Sequence, residues 1–216
     1  MEYITSSDFH FKNTAVALGK FEGIHRGHQL LMDEVKKQEL HGLRSVVFTF
    51  DRPTRLTLTG DTEYKQIYTK KERREILEKR GIDILIEHPF TKEFAALTPD
   101  RFIREVLVEK VGAKVIVVGT DFHFGKNRSG SITDLEKLEE ECGYHLIVVE
   151  KLQLNGKDIS STRIRASLEK GAMEEAKALL GRNYSVSGEI LHGNALGRTI
   201  QVPTINQQVP SFKLLP

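Results

Sequence analysis

Two short stretches carry side chains suited to gripping and polarising phosphate. The first is Gly19-Lys20-Phe21-Glu22-Gly23-Ile24-His25-Arg26-Gly27-His28. It places two histidines three apart, with a glycine between them, where a β-branched run gives way to a helical pattern. Glycine lets the backbone approach a ligand closely. A helix start offers free N–H groups and a partial positive charge, which suits phosphate. Imidazoles there can donate hydrogen bonds to phosphoryl oxygens, on which charge builds during nucleotidyl transfer. The same residues also fit a surface turn with incidental histidines. They fit zinc less well, since no cysteine or carboxylate pattern accompanies them. The second stretch, Ile159-Ser160-Ser161-Thr162-Arg163-Ile164-Arg165, opens a later helix. Capping explains one hydroxyl there. Three hydroxyls and two arginines suit a second anion site, with hydroxyls and N–H groups on phosphate oxygens and an arginine fork reaching them.

Both stretches need a frame to bring them together. Candidate strands are 15–18, 45–50, 82–87, 114–119 and 146–150. Three contain continuous apolar runs, such as Val115-Ile116-Val117-Val118, as expected of strands buried on both faces of a parallel sheet. Helical patterns cover 27–41, 69–80, 99–110, 131–142, 161–169 and 172–180. Thr98-Pro99 and Ser131 to Asp134 supply start signals, and Gly42 and Gly81 supply stops. The alternation predicts an α/β fold, a Rossmann-like domain with a parallel sheet. Ligands in such sheets bind beyond the carboxyl ends of the strands. From about residue 183 the pattern becomes β-rich with turns, so two units are expected, 1–182 and 183–216.

Composition narrows the partners. The 216 residues include 32 basic and 30 acidic side chains, a net charge of +2, which gives no reason to expect nucleic acid or a membrane surface. No stretch approaches the roughly 18–20 apolar residues of a span, and residues 1–10 are too polar for a secretory signal. The single cysteine, Cys142, sits in a charged helix as a spectator and cannot form an intramolecular disulfide. A cytoplasmic enzyme is expected, with oligomeric state open and a monomer favoured.

The first stretch resembles the His-x-Gly-His motif of the nucleotidyltransferase superfamily. More narrowly, it resembles the Gly-Asn-Phe-Asp-Gly-x-His-x-Gly-His stretch of the prokaryotic bifunctional riboflavin kinase/FAD synthetase family, with Lys20 for Asn and Glu22 for Asp. The second stretch resembles that family's Ile-Ser-Ser-Thr-x-Ile-Arg. Val118 to Gly125 is similar to its Gly-x-Asp-Phe-x-Phe-Gly segment, with His123 for Arg, and Phe48 to Asp51 resembles its strand into Phe-Asp-Pro, with Arg52 intervening before Pro53. Leu179 to Gly188 looks like its inter-domain junction, and Gly197 to Asn206 like the opening of its riboflavin kinase domain, with Gln201 for Gly.

The resemblance implies FMN adenylyltransferase activity: ATP and FMN as substrates, Mg²⁺ with the ATP, FAD and pyrophosphate as products. It implies His25, His28 and Arg165 as catalytic residues, with His28 stabilising the transition state. ATP is expected to be held by Gly19, Phe21, Gly23, His25, Gly27 and His28 at the α-phosphate side. Ser160, Ser161, Thr162 and Arg165 are expected at the β- and γ-phosphates. A flavin-side role falls to Phe50, Asp51, Asp121, Phe122 and Phe124, although buried core is the plain reading for one of these phenylalanines. Protein ligands for the metal are unassigned. About 33 residues after Asn183 are too few to close a kinase barrel, so kinase activity is not expected of this chain. The rival readings are a nucleotidyltransferase for NMN or phosphopantetheine and a non-catalytic flavin-nucleotide binding module.

Overall fold

The computed structural model describes residues 1–191 and 204–216. Its centre is a six-stranded parallel sheet built from β1 (Glu2–Ile4), β2 (Thr14–Leu18), β3 (Arg44–Phe50), β4 (Ile84–His88), β5 (Ala113–Gly119) and β6 (His145–Val149), in the order β1-β4-β3-β2-β5-β6. All five expected strands form. The sixth, β1, escaped the pattern because three residues carry no periodicity; its place comes from pairing Tyr3 with Leu85 and Ile4 with Ile86.

The apolar runs are buried on both faces, as parallel strands require. Val16, Val46, Phe48, Ile116 and Val118 face one layer, beneath Phe102, Ile103 and Leu135. Ala15, Ala17, Val47, Leu85 and Val117 alternate to the other, beneath Leu31, Met32 and Val35. The chain runs from β2 outward through β3 to β4, then crosses to β5 on the far side of β2. The carboxyl ends of β2 and β5 therefore mark the switch point where such folds take ligands.

The helices are α1 (Arg26–Lys37), α2 (Thr54–Thr59), α3 (Lys70–Lys79), α4 (Lys92–Ala95), α5 (Pro99–Arg101), α6 (Ile132–Cys142), α7 (Ser161–Glu169) and α8 (Met173–Leu180). Thr69 and Glu72 form a capping box on α3. The pattern over 27–41 divides into α1 and a 3₁₀ turn, and ends at Gly42 in the left-handed region (φ 76°). The pattern over 99–110 begins at Thr98 and Pro99 as expected, but from Phe102 to Lys110 it winds as a π-helix, with Val111 N–H reaching Val106 O at 2.9 Å. The wider turn keeps Phe102, Val106 and Val111, four and five residues apart, on the sheet. The short α2 and α4, and a hairpin of β7 (Gln153–Leu154) with β8 (Lys157–Asp158), were not legible as periodic patterns.

A third cluster packs α7 and α8 against Ile67, Tyr68 and Leu214. Here the C-terminal segment docks beside α7 and α8. Gln66 N–H donates to Phe212 O (2.6 Å), and Leu214 N–H to Gln66 O (2.8 Å). Lys213, 3% exposed, donates to Ile67 O (2.6 Å) and to Glu72 Oε2 (2.7 Å) between the rings of Tyr68 and Tyr184. Burial alone would push Glu72 up. Lys213 and the N–H groups of Thr69 and Ser187 outweigh it and hold Glu72 below the usual carboxylate range. The expected β-rich character of the last unit appears as an antiparallel pair, β9 (Glu189–Leu191) with β10 (Asn206–Gln208). Gly193 and the Gly197–Pro203 part of the resemblance lie outside the described residues. No helix among the described residues is long and apolar enough to cross a membrane.

Candidate active site

β2 ends at Leu18, and the turn from Gly19 to His25 crosses the carboxyl edge of the sheet into α1. Its backbone is unusual. Phe21 (φ 45°) and Ile24 (φ 42°) are left-handed, a conformation that is an outlier for a β-branched residue. Both residues are fully buried, backbone included, so Phe21 supports the turn by packing in the core. Its ring meets His28 edge-on, with centroids 5.0 Å apart. Two side chains tie the turn to the end of α8. Arg182 donates to Gly23 O and Ile24 O, both at 2.8 Å, and Gln29 Nε2 donates to Ile24 O (3.0 Å) and Leu180 O (2.8 Å).

His25 is the N-cap of α1. Its Nδ1 accepts the backbone N–H of His28 at 3.2 Å, which leaves the proton of the neutral ring on Nε2. The two imidazoles stack, 3.6 Å between centroids and 16° between planes. Burial, and then the Arg182 charge, pull His25 down to about 4 against the opposing pull of Asp121. Burial, His25 and Arg182 likewise hold His28 well below its ordinary value. Both rings are therefore neutral hydrogen-bond donors at pH 7. Gly27 lies against this pair: a Cβ there would stand 3.3 Å from His25 Nδ1.

The second stretch adjoins the first. A Cβ at Gly23 would meet Ile67 at 3.3 Å, Ile164 at 3.4 Å and Ser161 Oγ at 3.8 Å. Arg165 pairs with Glu22 and donates to Lys65 O (2.5 Å), its guanidinium 4.3 Å from the Tyr64 ring. Glu22 also accepts from Tyr64 OH (2.7 Å) and Ile67 N–H (3.3 Å). Ser160 caps α7 by accepting from Arg163 N–H at 3.3 Å. Ser161 is half-buried and Thr162 exposed at the same helix start. Arg163 holds Glu175, Leu154 O and Lys157 O, which gives it a structural post.

The five flavin-side candidates fall in two groups. Phe50 and Asp51 end β3; Asp121, Phe122 and Phe124 follow β5. β2 lies between them, so the groups stand about 10 Å apart, two strand spacings. Asp51 accepts from Phe90 N–H (3.0 Å) and pairs with Arg52 (2.9 Å), while Phe50 packs on Phe90 and Phe94. A cleft of about 60 Å³ opens there, lined by Lys20, Glu22, Phe50, Asp51, Tyr64 and Arg73 among others. Asp121 is exposed and pairs with Lys151 at 3.1 Å. Phe122 is half-buried and stacks on Phe124, which is buried in the core against Phe102. Tyr64, Gln29 and Arg182 were not foreseen. Their partners lie far along the chain, 158 residues in the case of Arg182 and Ile24, and no local pattern announces such a contact.

Comparison with known proteins places this arrangement. A family profile described as FAD synthetase matches residues 8–163, and one described as riboflavin kinase matches residues 180–216. The chain is 33% identical to a bifunctional riboflavin kinase/FMN adenylyltransferase of Buchnera aphidicola over 90% of its own length and 63% of the relative's. The corresponding protein of Listeria monocytogenes is 34% identical over 99% of this chain and 68% of that one. The chain thus spans about two thirds or less of these relatives. A crystal structure described as a macrolide-efflux protein from Streptococcus pneumoniae superposes with a TM-score of 0.89 at 31% identity, covering all of this chain and 72% of the other.

Proposed function

The chain belongs to the FAD synthetase family, and on that footing we propose that it transfers the adenylyl group of ATP to the phosphate of FMN, giving FAD and pyrophosphate. An FMN phosphate oxygen bonds to the α-phosphorus as the bond to the β-phosphate oxygen breaks. The nucleophile is already ionised, so no strong general base is required. The protein positions the reactants and stabilises charge. One observation carries the reading: a stacked pair of neutral imidazoles at the start of α1, beside the start of α7 at the switch point. Nε2–H of His25 is free of the cap and can meet an α-phosphate oxygen, and His28 stabilises the transition state. Ser160, Ser161, Thr162 and Arg165 hold the departing pyrophosphate. Arg165 exchanges its present partners for phosphate oxygens.

Mg²⁺ enters with ATP. Magnesium usually takes few protein ligands and keeps several waters, so the ion would be carried chiefly on the phosphate oxygens. Phe50, Asp51, Asp121, Phe122 and Phe124 border the acceptor side, with Phe124 acting by packing beneath Phe122. We place the division between units at 182/183, the reaction in the cytoplasm and the enzyme as a monomer. The test is chromatographic. FMN with MgATP yields FAD and pyrophosphate, riboflavin yields nothing, and His28→Ala lowers turnover about 10²–10³-fold. Pyrophosphate release with NMN or phosphopantetheine, but not with FMN, would reassign the acceptor.

A further inference from the structure

We propose that Arg182 is a positioning residue for adenylyl transfer, fixing the histidine turn so that both imidazoles meet the α-phosphate as a preformed pair. The proposal rests on the function proposed above. Its physical basis is the strained backbone at Ile24. A β-branched residue held left-handed is strained and persists only where its surroundings over-determine it. Here the over-determination is visible. Arg182 Nη2 takes Gly23 O, while Nη1 takes Ile24 O at 2.8 Å and Leu180 O at 3.3 Å. Gln29 bridges the same Ile24 and Leu180 carbonyls. Two successive peptide oxygens of the turn are thus fastened by one planar fork to the last turn of α8. Lysine cannot reproduce that double grip. The guanidinium is steadied in turn by the Tyr68 ring, 5.1 Å away.

The same cation faces the imidazoles and helps to keep them neutral. The other charges facing them are few. Asp121 pulls His25 the opposite way, and the two rings act on one another. The Glu22–Arg165 pair across Gly23 is neutral as a unit. Arg182 itself is held below its ordinary value by burial, against Tyr68 and with Arg80. Position and charge can therefore be separated by substitution. Arg182→Lys keeps the cation and loses the fork; Arg182→Ala loses both.

The experiment measures FAD formation from pH 9 down to the lowest pH at which the protein stays folded, alongside an NMR titration of the histidine rings over the same range. Arg182→Lys should lower kcat by about 10- to 100-fold, as expected for a displaced reacting group, with the KM for FMN changed less than about threefold. Its acid limb and ring titrations should stay near those of the wild type. Arg182→Ala should show the same fall and, in addition, ring titrations moved up by about one pH unit. Leu135→Ala, buried in α6 at 0% exposure, serves as a destabilised control. A fall in kcat no larger than the control's, at equal loss of melting temperature, overturns the proposal. So does a folded Arg182→Lys with wild-type kcat. Should Arg182→Ala fail to fold, Arg182→Lys still decides. If the wild type makes no FAD, the function fails, and ring positions still test Arg182: unchanged ring chemical shifts of His25 and His28 in folded Arg182→Lys, at fixed pH, refute it.

Discussion

His25 holds two posts at once: its Nδ1 closes the start of α1, and its Nε2–H points the other way as a donor. Protonation would destroy the cap, because the charged ring has no acceptor. The folded ring titrates at about 4, while an unfolded histidine titrates near 6.5. Above pH 6.5 neither state binds the proton. As pH falls from 6.5 towards 4 the unfolded chain gains it first, and stability is lost. Between pH 7 and pH 5 this residue should account for about 2 kcal/mol of lost stability. Denaturant melts of wild type and His25→Asn at the two pH values measure the difference, and equal losses would refute the assignment. Much of this site was readable at the level of single residues. His25, His28, Ser160, Ser161 and Thr162 sit in contiguous stretches, and helix-start chemistry is local. Their supports were not. Glu22 gains meaning only when Tyr64, Ile67 and Arg165 reach it, and only burial shows that Phe21 is core and that Phe124 is the core member of its pair with Phe122.

Among the elements, strands read best, because a run such as Val115 to Val118 suits a strand buried on both faces of a parallel sheet. β1 shows the limit: three residues acquire strand geometry from β4 and advertise none of their own. The π-wound stretch from Phe102 to Lys110 shows another, since its apolar positions fit a helical period without revealing its pitch. At the opening of α1, stability and catalysis want different residues. Replacing Gly27 by Ala would favour the helix by roughly 0.5–1 kcal/mol. The new methyl would lie 3.3 Å from His25 Nδ1 and press on the stacked pair. Gly27→Ala should therefore melt no lower than wild type while turnover falls about tenfold or more, the cost of a small misplacement. Thermal melts and turnover measured on one preparation check this, and undiminished turnover would show that the pair can yield.

In the molecule as a whole, the C-terminal segment is joined to the nucleotidyltransferase unit by a buried cation. Lys213 lies between Tyr68 and Tyr184 with Glu72 as its counter-ion. Removing one partner of a buried pair strands the other, so Lys213→Ala should cost about 3 kcal/mol by denaturant melt. Lys213→Met combined with Glu72→Gln should lose less than the sum of the two single changes, because no charge is left alone. Strict additivity would mean that the two side chains are energetically independent. The residues from Tyr64 to Tyr68 meet that segment on one side and the active site on the other. Gln66 gives both its N–H and its carbonyl to Phe212 and Leu214, while Lys65 O and Ile67 N–H serve Arg165 and Glu22. Ile67 itself serves both neighbours, its N–H reaching Glu22 and its carbonyl taking Lys213 and Tyr184. Because these links run through backbone groups, side chains along 64–68 can change while an inserted or deleted residue would displace the contacts to both neighbours together.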